Sequence, residues 1–191
     1  SPYAQKEALK YALPGGRHPN DVRDLAQTPD GLIWAATASG LYTWRDTWFE
    51  RLPDEWIGSS DTKALAVDDV GRLWVVACLG VAVRDPDNRE WRIQASEALD
   101  AGLGAIIGIA VHQGQVAIAT TGRGPGLLKE GEFTPLADLY PSGARLIRLQ
   151  FNADGHLWLL GEKGAVLADL KAQTRKAHLL PDTQVRALAE T

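Results

Sequence analysis

A phrase written at Asp21 to Trp44 is written again further along the chain, and that recurrence constrains the fold more than any other feature. The phrase is a short apolar strand, a tight Asp-Gly turn into a Trp-bearing strand, and a small-residue turn into Gly-Leu-Tyr. The turn glycines Gly31, Gly71, Gly114 and Gly155 fall about 40 residues apart. Each leads into an apolar run: Leu32-Ile33-Trp34, Leu73-Trp74, Val116-Ala117 and Leu157-Trp158. Second glycines at Gly40, Gly80, Gly126 and Gly164 keep the period and precede Leu41-Tyr42, Val81-Ala82, Leu127-Leu128 and Ala165-Val166.

Upstream of each turn lies an apolar strand, within Val22–Ala26, Thr62–Val67, Ile106–Val111 and Leu146–Phe151. Leu25, Leu65, Ile109 and Leu149 hold equivalent places in these strands, and a fourth element closes each unit around Trp48, Trp91, Phe133 and Lys176. Four strands per unit with this period specify an all-β fold, a β-propeller. One four-stranded sheet cannot bury both faces alone, so such sheets stack face to face around an axis. The indoles of Trp34, Trp74 and Trp158 are then wedges between neighbouring sheets. Trp48, Trp56 and Trp91 fall outside that register and are candidates for exposure.

The expected boundaries are 21–58, 59–102, 103–142 and 143–182 for the four blades. Residues 1–20 are read as the last strand of a preceding blade plus a linker. There, Leu9 to Leu13 is preferred as a strand over a short helix, with Pro14-Gly15-Gly16 as its turn. Residues 183–191 read as the first strand of a further blade, with Leu188 next in the series. The chain opens on Ser and contains no Met, which fits an excised or mature segment of something longer. It is expected to be an incomplete arc of a larger propeller whose apolar open end faces either pair with a second copy or are covered by the rest of a longer chain.

The repeat pattern V-x-x-L-x-x-x-x-D-G-x-I/L-W followed by G-L-Y, with Trp34, Gly40, Leu41 and Tyr42 in place, resembles the two-component regulator propeller repeat. The turn Leu13-Pro14-Gly15-Gly16 with Asn20-Asp21-Val22 is similar to that family's linker. The second and fourth units depart at Gly80-Val81-Ala82 and Gly164-Ala165-Val166, and the third is degenerate at Gln113 to Ala117. The resemblance implies a non-enzymatic, ligand-binding sensor domain in the periplasm, part of a membrane-anchored receptor signalling through a histidine kinase or diguanylate cyclase. The alternatives are a carbohydrate-active lyase or hydrolase propeller, and a protein-interaction scaffold.

The 191 residues carry 20 basic and 24 acidic side chains, a net charge of -4, which gives no footprint for nucleic acid or a membrane surface. The single Cys78 excludes an internal disulfide and reads as a small buried hydrophobe. His18, His112, His156 and His178 lack metal-ligand spacing, neither G-x-S-x-G nor H-E-x-x-H occurs, and no cofactor or metal is expected.

Thr120 to Gly126, TTGRGPG, replaces a short turn in the third unit and is read as about three residues longer. It is either an extended, mobile hairpin or an anion contact made by backbone N–H groups with Arg123 as the charged donor. In a propeller its face also carries the loops between blades, so a small-molecule or protein ligand is expected there. The residues singled out on that face are Arg123, Asp61, Arg145, Glu162 and Lys163, within a set that includes Asn20, Asp21, Ser60, Ser142, Thr37 and Ser39.

Overall fold

Short β-branched and aromatic runs separated by glycine turns pair most readily with their neighbours in sequence, and the sheets follow that rule. The computed structural model describes residues 21–45, 48–52, 61–77, 80–87, 89–96, 103–140 and 144–179. The expectations for Leu9–Gly16, Val185–Ala189, Cys78, Trp56 and the side chain of Trp48 lie outside them. The first sheet holds β1 (Val22–Gln27), β2 (Ile33–Thr37), β3 (Gly40–Arg45) and β4 (Trp48–Arg51). The second holds β5 (Thr62–Val67), β6 (Leu73–Ala77), β7 (Gly80–Arg84) and β8 (Trp91–Ser96). The third holds β9 (Ile106–His112), β10 (Gln115–Thr120), β11 (Gly124–Lys129) and β12 (Glu132–Pro135). The fourth holds β13 (Leu146–Phe151), β14 (Leu157–Gly161), β15 (Gly164–Asp169) and β16 (Thr174–Leu179).

Each sheet is a four-stranded antiparallel meander, and one turn of 3-10 helix, Ala137–Leu139, precedes the fourth. The first strands pack in succession, β1 on β5, β5 on β9 and β9 on β13. Four sheets stacked through their first strands make the blades of a β-propeller. Among the described residues no helix is long and apolar enough to cross a membrane.

Of the three expected wedges, Trp34 and Trp74 occupy interfaces between described sheets, whereas Trp158 is half-buried on the outer face of the fourth sheet. Trp34, Ala36 and Leu41 meet Leu65, Leu73, Val75 and Ala82 of the second sheet. Trp74, Val76 and Val81 meet Ile109, Val116 and Ile118 of the third. Between the third and fourth sheets, where the Trp is missing, Ala117 and Ala119 lie against Leu149, Leu157, Leu159 and Val166. Fully burying each such large side chain contributes about 1.5–3 kcal/mol. Trp91 departs from the expectation of exposure, because it stands edge-on to Trp34 at 6.3 Å while Arg84 covers the other ring at 5.1 Å.

The turns at Gly31, Gly71 and Gly155 have a common geometry. Thr28, Asp68 and Asn152 each donate N–H to the carbonyl four residues on, and Gly31, Gly71 and Gly155 donate back to them. Only the glycine of each loop has positive φ, at 83°, 83° and 79°, so these are three-residue loops ending in a left-handed residue. The side chain that opens the loop also anchors the indole six residues on. Thr28 Oγ1 accepts from Trp34 Nε1 at 3.0 Å, and Asp68 Oδ2 accepts from Trp74 Nε1 at 2.9 Å. The third sheet lacks the Trp and turns differently, with Gln113 (φ 46°) and Gly114 (φ 77°) forming a two-residue, type I′ turn. His112, at the place of Thr28, stacks instead on Phe151 of the fourth sheet, with ring centres 5.7 Å apart.

The apolar end face expected of the first sheet is only partly open. Leu25 is 60% exposed, whereas Leu65, Ile109 and Leu149 are 7%, 7% and 5% exposed. Ala35 and Tyr42, on the same face as Leu25, are buried. On the outer face of the fourth sheet Leu160 and Ala165 are buried beside a half-buried Trp158.

Candidate functional site

The loop joining β10 to β11 is shorter and firmer than its glycines suggest. Thr120 pairs with Gly124, so the loop is Thr121-Gly122-Arg123, one residue longer than the two-residue turns at 38–39 and 162–163. Gly124, at φ 72°, takes the register place expected for Gly126. The expected mobility does not fit the hydrogen bonding. Thr121 N donates to Ala105 O at 2.9 Å, Gly122 N to Leu103 O at 2.8 Å, and Arg123 N to Thr120 Oγ1 at 3.1 Å. Thr121 Oγ1 in turn accepts from Ala105 N at 2.9 Å. An anion cradle made of backbone N–H groups is therefore ruled out at these three amides, because each already has a protein acceptor. Any charge recognition by this loop falls to the Arg123 side chain.

That loop forms one wall of a cleft of about 620 Å³ between the third and fourth sheets. The opposite wall comes from the linker and first strand of the fourth sheet, with Tyr140, Ala144, Arg145, Leu146 and Ile147; Ile107 of β9 also lines it. The volume is that of a small-molecule site. Both charged side chains lining it, Arg123 and Arg145, are cationic, and the described lining residues include no carboxylate and no imidazole.

The Arg145 wall is held from behind by the β14–β15 turn. Glu162 N donates to Arg145 O at 3.1 Å, Arg145 N to Glu162 Oε2 at 3.4 Å, and Lys163 N to the Tyr140 hydroxyl at 3.4 Å. A Cβ at Gly161 would collide with Arg145 O and the Tyr140 hydroxyl, so glycine there lets the linker lie against β14. Burial pushes the Tyr140 phenol above its ordinary value; the Lys163 amide opposes this and the Glu162 charge adds to it. The phenol therefore stays neutral through the physiological range.

Of the five side chains read from the sequence, Arg123 and Arg145 converge on one cleft. Glu162 and Lys163 lie behind its wall, where their backbone and the Glu162 carboxylate brace it. Asp61 is elsewhere, in an ion pair with Arg23 at the first and second sheets. Thr37 and Ser39 are buried in their own turn, Thr37 Oγ1 donating to Gly40 O at 2.9 Å, and Asp21 is exposed beside Arg23. Asn20, Ser60 and Ser142 lie outside the described residues. Sequence reasoning missed Tyr140, Ile107 and Ile147. Tyr140 sits in a linker that obeys no period, and the two isoleucines look like any other first-strand apolar residue. Among the described residues no group of three His, Cys, Asp or Glu side chains is arranged to hold a metal ion.

No protein-family model and no curated protein matches the chain. Solved structures do. The extracellular domain of a candidate one-component system from B. thetaiotaomicron superposes with a TM-score of 0.63 at 16% identity, over 84% of this chain and 25% of that one. A candidate gluconolactonase gives 0.69 at 14% identity, over 88% of this chain and 67% of that one. A catalytically inactive virginiamycin B lyase from Staphylococcus aureus with quinupristin gives 0.65 at 14% identity, over 89% and 59%. At such identities the likeness shows the fold alone, that of a β-propeller, shared by an extracellular domain of a signalling system and by enzymes. The chain spans about a quarter of the length of the first.

Proposed function

We propose that this chain is a non-enzymatic, ligand-binding propeller segment from the extracytoplasmic, periplasmic part of a membrane-anchored bacterial receptor. Its output partner in this reading is a histidine kinase or a diguanylate cyclase. The observation that carries the ligand-binding role is the cleft itself, a small-molecule-sized space whose charged lining residues are two arginines. An arginine stays protonated at any accessible pH and makes a poor general acid or base. The receptor context is supported by the repeat resemblance and by the shared fold with the B. thetaiotaomicron extracellular domain.

The mechanism follows from where the walls belong. One wall is the β10–β11 loop of the third sheet and the other is the start of the fourth sheet. A ligand that touches both shifts the population of packing arrangements of these two sheets, by no more than its differential affinity for them. The test is thermal denaturation of the 191-residue chain against sugars, organic acids and amino acids, with product analysis in parallel. Stabilisation without turnover supports the sensor. Turnover supports the lyase or hydrolase reading, and silence in both supports the scaffold.

A further inference from the structure

We infer that the open face of the first sheet docks against the outer face of the fourth sheet of a second copy, the Trp158 indole of one copy covering Leu25 of the other. The inference is independent of the ligand reading of the cleft. It starts from three register positions. Val22, Leu25 and Ile33 share one face of the first sheet and are 45%, 60% and 38% exposed. Thr62, Leu65 and Leu73 hold these positions in the second sheet, and Leu146, Leu149 and Leu157 hold them in the fourth. All six are buried. Three branched apolar side chains gathered in water mark a surface that something else covers.

The molecule itself shows what covers such a face. At the first interface it is the opposite face of the preceding sheet, with Trp34 against Leu65 and Leu73. At the second interface Trp74 lies with Ile109 in the same way. Each sheet therefore has a receiving face and a covering face, and one recurring contact joins them. Trp158 pairs with Gln150 as Trp34 pairs with Ala26 and Trp74 with Ala66, so it holds the wedge position on a covering face. Leu160 and Ala165 of that face are buried, as are Ala35 and Tyr42 of the receiving face. What stays open is the matching patch on each side, a half-buried indole on one and the Leu25 group on the other.

Charge agrees with this pairing. Arg148 holds the place of Asp24, whose carboxylate reaches across the first interface to accept from Leu65 N at 2.9 Å. Among the described residues Arg148 makes no ion pair. In the proposed contact it comes to the edge that carries Asp21 and Asp24, where opposite charge fixes the register. Because each copy offers one face of each kind, the contact is heterologous, closing into a ring or continuing as a chain.

The experiment is sedimentation velocity with light scattering on the 191-residue chain, from about 10 μM to about 1 mM, where mass action resolves a moderate affinity. The mass is expected to rise with concentration. Leu25→Lys, Trp158→Ala and Arg148→Glu should each raise the apparent Kd at least about 10-fold, and Arg148→Lys should stay close to the parent. Leu25 and Arg148 are exposed, so their variants should melt like the parent chain. An equimolar mixture of Leu25→Lys and Trp158→Ala is expected to associate again, because the first keeps its covering face and the second its receiving face. Arg148→Glu takes the second place in the mixture where Trp158→Ala does not fold. Association lost in Leu25→Lys but kept in both Trp158→Ala and Arg148→Glu would overturn the pairing of unlike faces. Association that none of the three variants weakens would overturn the assigned surfaces altogether. A chain that stays monomeric over the whole range would overturn the second copy as occupant and leave the face to a further sheet of a longer chain.

Discussion

Leu25 and Leu65 are the same residue in the same place of successive first strands, paired with Ala35 and Val75 on their second strands. One is largely in water and the other is buried. Nothing local distinguishes them, since both strands carry a register shift at their start and both hairpins close with the same glycine loop. The difference is the neighbour. Trp34, Ala36 and Leu41 of the first sheet cover Leu65, and among the described residues no corresponding wedge covers Leu25. The comparison teaches that the repeat encodes the direction of a face, and that the adjoining sheet decides how much that face stabilises.

The comparison sharpens first at the wedges. Trp34→Ala and Trp74→Ala should each cost about 3–5 kcal/mol, because both indoles are buried against the next sheet. Trp158→Ala, at a half-buried indole, should cost clearly less in the same urea titration. Leu65→Ala and Leu149→Ala should lose about 2–5 kcal/mol, and Leu25→Ala under about 1 kcal/mol. Equal losses at Leu25 and Leu65 would break the comparison outright.

The loops extend it. Asp68 is a buried carboxylate that accepts from Val70 N, Arg72 N, Arg72 Nε and Trp74 Nε1 at 3.2, 2.8, 2.7 and 2.9 Å. Thr28 does the same work for Trp34 with one hydroxyl. Asp68→Ala should therefore destabilise by about 3 kcal/mol and Thr28→Ala by about 1 kcal/mol, read as midpoint shifts in chemical unfolding. Asp24 spans the first interface, accepting from Leu65 N at 2.9 Å. Asp24→Ala should cost about 1.5 kcal/mol and raise amide exchange at Leu65.

The smallest effect is a pH effect in the first loop. Burial pushes the Asp30 carboxyl up, but the Thr28 hydroxyl, the Leu32 amide and the charges of Arg84 and Arg89 together hold it below its ordinary value. A lowered folded value means that Asp30 stabilises above the unfolded pKa of about 3.9 and that this is lost as pH falls through the folded value. Asp30→Asn should thus be slightly less stable than the parent at pH 7, with the gap closing in acid. A gap that widens in acid would reverse the assignment.

Much of this molecule is legible in its letters. The four-strand unit, the second-strand tryptophans and the turn glycines each follow from steric or burial demands local to one hairpin. The pairing of Trp74 with Asp68 is also written there, as a polar residue six places before each indole, though the signal is plain only once the loop is seen. Two sequence-singled residues, Arg123 and Arg145, do meet in the cleft, because loops on one face of a propeller must cluster. The loop register is another matter. Counting glycines put the turn at Gly126, and the pairing of Thr120 with Gly124 moved it.

By itself the sequence determined the repeat, the turn glycines at 31, 71, 114 and 155, and the alternation that turns Trp34 and Trp74 toward a neighbouring sheet. Those are properties of strand alternation and of residues that tolerate positive φ. Only the tertiary structure decided that Leu25 stays exposed, that the glycine-rich loop spends its amides on residues 103–105, and that two arginines on different sheets share a wall-to-wall space. Burial and hydrogen-bond occupancy belong to pairs of surfaces, and no single strand carries the information about what will be brought against it.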